Sequence, residues 1–106
     1  HCSVCPPNLS KRLGELGITV ATQPSFVFYN GDRYLKTVPR GKLKHLYPIG
    51  TLMKDGIDVA GSSDCPTVPP NPLIGIYAAI SRKCCKAGAA VAAKEGVTPM
   101  EALRMY

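Results

Sequence analysis

The chain carries 13 lysines and arginines against 7 acidic residues over 106 positions, a formal charge of +6. That length suits one small domain, and its near-zero mean hydropathy fits a soluble globular segment. No apolar run approaches the roughly 20 residues needed to cross a bilayer. The basic residues are dispersed from Lys11 to Arg104, tryptophan is absent, and Phe26, Phe28, Tyr29 and Tyr34 share one stretch without an interleaved basic ladder, which argues against nucleic-acid binding.

Cys2, Cys5, Cys65, Cys84 and Cys85 leave one thiol over in any disulfide scheme, and adjacent Cys84 and Cys85 are poorly placed to bond each other. A reducing, cytoplasmic setting is expected. Cys2 and Cys5 form a C-x-x-C beside His1, but no second pair follows at a zinc-ribbon or finger spacing. The chain opens on His1 with no basic-then-apolar leader, so an upstream segment is expected.

In chain order, the first predicted helix spans about Pro7 to Leu16, with Leu9, Leu13 and Leu16 on one face. Gly17 ends it, because glycine takes the left-handed conformation without a side-chain penalty. Ile18 to Thr22 then read as a strand, closed by Pro24. From Ser25 to Gly41 the period is lost, and Asn30-Gly31 among aromatics predicts a hairpin or a long excursion after the strand. A basic helix is expected at Lys42 to Tyr47. The next begins at Pro48, with Ile49, Leu52 and Met53 inward, and stops at Gly56.

Residues 51–61, TLMKDGIDVAG, then repeat the phrase of residues 12–22, RLGELGITVAT. Leu13 matches Leu52, Gly17 matches Gly56, and Ile18, Val20 and Ala21 match Ile57, Val59 and Ala60. A repeated helix-glycine-strand unit predicts parallel strands. The second strand, Ile57 to Gly61, runs into Ser62, Ser63, Asp64, Cys65 and Pro66, setting a carboxylate just past a strand's carboxyl end, where parallel α/β folds build active sites.

The loop bearing Pro66, Pro69, Pro70 and Pro72 excludes helix and central strand. Asn71 offers a side-chain cap with Pro72 in the first turn, and Leu73, Ile76, Tyr77 and Ile80 form an apolar i, i+3, i+4, i+7 stripe. Residues 84–97 fit a loop or a short alanine-rich helix. Thr98 and Glu101 make a capping box for a last helix.

The runs HCSVCPPNL, ITVATQPSFVFYNGDRYL and GSSDCPTVPPNPLIGIYAAISRK resemble the carboxyl-terminal third of the barrel in amidohydrolase family 3, the branch of predicted metal-dependent hydrolases that includes N-substituted formamide deformylase. The resemblance covers nearly the whole chain except residues 84–97. It implies a partial (β/α)8 TIM barrel, from the end of strand six through the helices after strand eight. A complete barrel takes about 250 residues, so the early strands and the flanking β-sandwich would lie elsewhere.

In that family a histidine closing strand six in an Arg-Ile-Glu-His motif binds metal, and His1 matches it. The aspartate after strand eight matches Asp64, which would be both metal ligand and catalytic proton acceptor. The implied cofactor is one or two divalent ions, zinc in class, and the implied substrate a small molecule cleaved at a non-peptide C–N bond of an amide or formamide. Gln23, Tyr29 and Asn30 are expected at the same end as Asp64, in reach of substrate. Two ligands fall short of the three protein ligands of a catalytic zinc, so these residues alone should be inactive, and exposed apolar faces should meet the remaining barrel segments or a second copy. The residues also leave open a small interaction module, or a redox domain built on Cys2 and Cys5 with a depressed thiol pKa.

Overall fold

A computed structural model describes all residues from His1 to Tyr106. The chain forms six α-helices and two short strands. They are α1 Pro7–Glu15, β1 Val20–Thr22, α2 Ser25–Thr37, α3 Arg40–Leu43, α4 Ile49–Lys54, β2 Val59–Gly61, α5 Pro72–Ser81 and α6 Pro99–Arg104, with a 3-10 turn at Ala93–Glu95 before α6. No helix is long and apolar enough to cross a membrane.

The repeat is a repeat of hydrogen bonds. At the end of α1, Gly17 (φ +63°) sends its N–H to Gly14 and Ile18 sends its own to Leu13; at the end of α4, Gly56 (φ +77°) sends its N–H to Met53 and Ile57 to Leu52. Both are Schellman closures, in which a left-handed glycine lets two N–H groups satisfy the carbonyls that the last helical turn leaves free. Each closure aims the chain into a strand. The strands pair parallel, with Val20 opposite Val59, Ala21 opposite Ala60 and Thr22 opposite Gly61, as the repeat implies. They are shorter than predicted, because Ile18 and Ile57 are spent on the closures.

Between the strands the structure departs from the expected hairpin or excursion: residues 25–37 form the longest helix. Asn30-Gly31 looks like a turn because glycine costs a helix interior about 1 kcal/mol. Here packing overrides propensity. A Cβ on Gly31 would lie 2.5 Å from Cys84 Sγ and 3.3 Å from Val91 Cγ2, so only glycine lets α2 approach the segment after α5. The predicted basic helix at Lys42 to Tyr47 is also displaced: α3 ends at Leu43, and Leu46 pairs antiparallel with Val4.

Helix α5 is capped as predicted, Asn71 Oδ1 accepting the Leu73 N–H at 3.0 Å, and of its apolar stripe only Ile76 packs inward, against the cluster that joins Ile49 to Ala79, Ala102 and Met105. Leu73 is 70% exposed and Tyr77 46%, whereas Gly75, Ala78 and Ala79 are buried. Small residues face inward because α2 and α6 both press on this helix. Residues 84–92 form a loop pinned by the Lys83–Ala90 bridge and by Asp32, which accepts N–H bonds from Lys86 and Ala87. The capping box of α6 is complete, Thr98 and Glu101 bonding reciprocally.

Three apolar clusters make the interior. One gathers Phe26, Val27, Leu46, Tyr47, Val68, Cys84 and Val91 under α2. A second joins Ile49 to Ala79, Ala102 and Met105, and a third closes Cys5, Val20, Leu52 and Ile57 beneath the strands. Among them lies Arg82, wholly buried, whose guanidinium donates to the carbonyls of Val91, Tyr47 and Leu46 at 3.1, 2.9 and 2.7 Å. Burial pulls its pKa down to about 10, with Glu95 opposing the shift, so it remains charged at neutral pH.

Candidate active site at the strand ends

Past β2 the chain turns sharply. Asp64 takes φ +57°, a left-handed conformation that aspartate adopts more readily than most residues. The turn is held by Thr67, whose N–H bonds the Asp64 carbonyl at 2.8 Å and whose hydroxyl donates to Oδ2 at 3.3 Å. The Ser63 hydroxyl accepts the Cys65 N–H at 3.2 Å. Asp64 is thereby fixed just beyond the carboxyl end of the strand.

At that end stands His1. Its Nε2 lies 3.9 Å from Asp64 Oδ2, both side chains about half exposed, at 50% and 44%. No lysine or arginine pairs with Asp64. The histidine is fixed from behind: buried Thr22, the last residue of β1, donates its hydroxyl to the His1 carbonyl at 2.7 Å, and the Phe26 ring lies 6.2 Å from the imidazole, centroid to centroid. Neither Thr22 nor Phe26 carries a sequence signal for this role, since both contacts span more than a helical turn and depend on the strands closing side by side.

Gln23 follows Thr22. It is buried, and its Nε2 donates to Ser62 Oγ at 3.0 Å, joining the ends of the two strands. Its Oε1 and the hydroxyl of Ser25 are buried without partners. Tyr29 and Asn30 sit one turn into α2. Tyr29 packs edge-on against Phe28 at 5.1 Å, and neither residue bonds His1 or Asp64. The structure thus brings together His1, Asp64 and the Gln23–Ser62 pair.

An imidazole nitrogen and a carboxylate oxygen facing each other without a competing cation are a donor pair suited to a borderline divalent ion. They are only a pair: no group of three or more histidine, cysteine or carboxylate side chains converges anywhere. The C-x-x-C does not supply more. Cys2 and Cys5 are free thiols, and burial raises the Cys5 pKa, with Cys2 and Asp55 adding to it. That is opposite to the depressed thiol a redox pair requires.

Behind the site Tyr47 is buried with φ +45°, an uncommon backbone for a bulky residue. Its ring meets Phe26 edge-on at 6.1 Å, and its hydroxyl lies 3.5 Å from that of Tyr34. Burial drives this phenol's pKa well above its ordinary value, and the Tyr34 phenol and the Asp64 carboxylate add to the rise.

The model of the amidohydrolase family matches residues 1–106. Among curated relatives, YtcJ of Bacillus subtilis, which carries an amidohydrolase assignment, is 30% identical over 108 residues. N-substituted formamide deformylase of Arthrobacter pascens is 29% identical over 109. Each alignment takes in 100% of this chain but 20% of the relative, so the chain spans about a fifth of the length of the proteins it matches. An uncharacterized metal-dependent hydrolase from Pyrococcus furiosus superposes with a TM-score of 0.81 at 27% identity, over 100% of this chain and 21% of that one. A second, from Pyrococcus horikoshii, superposes with a TM-score of 0.83 at 23% identity, over 97% and 21%, and speaks to the fold alone. With a family match along its whole length and parallel strands that deliver His1 and Asp64 to one end, this chain belongs to the amidohydrolase family.

Proposed function

We propose that these residues are the part of an amidohydrolase barrel running from the end of strand six through the helices after strand eight, and that the whole protein hydrolyses a non-peptide C–N bond in a small amide or formamide. The observation that carries this reading is the approach of His1 Nε2 to Asp64 Oδ2, 3.9 Å apart at the carboxyl ends of parallel strands. The formamide deformylase relative supports the bond type, and the superposed metal-dependent hydrolase supports a divalent metal, which we take to be zinc in class. We assign the protein to the cytoplasm, its five cysteines all being free.

His1 and Asp64 would hold the metal, with the remaining ligands supplied by residues outside these 106. When bound, such an ion supplies Lewis acidity and lowers the pKa of water to about 7. Asp64 does the proton work. Its carboxylate accepts a proton from the attacking water and returns it to the departing nitrogen, while the Thr67 hydroxyl, 3.3 Å from Oδ2, steadies the carboxylate. Gln23, buried with an unpartnered Oε1, is suited to accept a substrate N–H, and Tyr29 and Asn30 would contact the outer part of the substrate. The apolar faces of α5 and α6 fit burial against the remaining segments of the barrel.

Asp64→Asn in the full-length protein tests the reading. We expect turnover of an amide or formamide substrate to be abolished with the circular dichroism unchanged. Near-normal activity in a folded variant rejects the assignment.

A further inference from the structure

His1 is held by groups that no sequence pattern marks. Its carbonyl accepts the hydroxyl of Thr22, a residue with no exposed surface, so its main chain is fixed to the end of β1. Its imidazole rests against Phe26 at 6.2 Å, and Phe26 rests against Tyr47 at 6.1 Å. Tyr47 is itself immobilised. Its N–H bonds the Ser3 carbonyl at 2.8 Å, tying it to the segment that carries His1, and its own carbonyl takes the Arg82 guanidinium at 2.9 Å.

We propose that Thr22 and Phe26 are positioning residues for His1, one setting its main chain and the other its ring, and that Arg82 supports the Phe26 ring by clamping the Tyr47 turn it rests on. A histidine that must meet an ion at a defined distance and angle loses affinity when its orientation is free, because ordering it then falls to the binding step. Outer groups that orient ligands typically account for about 10–100-fold in metal affinity. Thr22 is suited to this role because a β-branched residue is stiff at χ1, so its hydroxyl is aimed before any ion arrives. The inference rests on His1 being a ligand, as proposed above.

The experiment uses the full-length protein, stripped of metal and titrated with zinc(II) against a chromophoric chelator, with folding of each metal-free variant checked by circular dichroism. Thr22→Val, which keeps the shape and loses the hydroxyl, and Phe26→Leu are each expected to weaken zinc binding about tenfold or more. Thr22→Ser, which keeps the hydroxyl, should retain most of the affinity. Wild-type affinity in folded Thr22→Val and Phe26→Leu, alongside clear loss in His1→Ala, overturns the positioning role and leaves the site standing. Undiminished affinity in His1→Ala overturns both. Should Thr22→Val not fold, Phe26→Leu alone separates these outcomes.

Discussion

The carboxylate of Glu95 accepts both the N–H and the hydroxyl of Thr51, at 2.8 and 2.7 Å. Thr51 lies in the first turn of α4, where N–H groups have no partner within the helix, and α4 has no acidic residue of its own there. Glu95, 44 residues further along the chain, therefore caps the helix, its charge favoured by the helix dipole. This fastens the helix that delivers β2, and so Asp64, to the segment preceding α6.

Glu95→Ala should destabilise the full-length protein by about 2 kcal/mol, since it removes two charge-assisted bonds and leaves a half-buried N–H unpaired. Glu95→Gln should recover roughly half of that loss. Chemical denaturation midpoints at constant m-value measure both, and a neutral Glu95→Ala would show that solvent replaces the cap.

Arg82→Met is expected to cost about 3 kcal/mol or more, because the buried carbonyls of Val91 and Leu46 lose their donors together and that of Tyr47 keeps only the Ile49 N–H. Arg82→Lys should recover little, since one ammonium cannot reproduce the planar fork that reaches all three. Thermal denaturation of the two variants distinguishes a hydrogen-bonding role from mere charge or bulk; equal stability of Lys and wild type would favour charge.

Helix α5 buries its small residues and exposes Leu73 and Tyr77, which makes an unusual forecast for substitutions. Ala79→Leu, at a fully buried position, should cost about 1–3 kcal/mol through overpacking. In the 106-residue chain, Leu73→Lys at 70% exposure should change stability by less than about 0.5 kcal/mol. Urea midpoints test the pair. A large penalty for Leu73→Lys only in the full-length protein would identify that face as covered there.

Alkylation with iodoacetamide at pH 8 should modify Cys65 and Cys85 first, both being exposed, while Cys5 and Cys84 react slowly. Burial shields the latter and raises their pKa values, with Cys2 and Asp55 acting on Cys5 and Asp32 and Cys85 on Cys84. Peptide mass mapping over time reads the order. Rapid labelling of Cys5 would revive a redox role.

The capping box sets an acid limit for α6. The Thr98 backbone bond, the Thr98 hydroxyl and Arg104 hold the Glu101 carboxyl below its ordinary pKa. Because the folded value is the depressed one, the stabilisation is present above the unfolded pKa and is lost as pH falls through the folded pKa. The stability difference between wild type and Glu101→Gln should therefore shrink on acidification below the usual carboxylate range. A pH-independent difference would remove Glu101 from that role.

What could be read from the residues in order was whatever neighbours in the chain decide. Gly17 and Gly56 announce their Schellman closures, Asn71 and Thr98 their caps, and the duplicated Ile-x-Val-Ala its parallel pair, because each is a bond between residues a few positions apart or a pattern those bonds repeat. Asp64 was visible as a carboxylate beyond a strand, and the family resemblance added His1. The helix across Asn30-Gly31, the outward stripe of Leu73 and Tyr77, and the hold of Thr22, Phe26 and Arg82 on the site were decided only in three dimensions. In each case a distant partner decides, Cys84 against Gly31, where packing outweighs a local preference of about 1 kcal/mol, α2 and α6 against α5, or the His1 carbonyl against Thr22, and nothing in a linear pattern records which distant surfaces will meet.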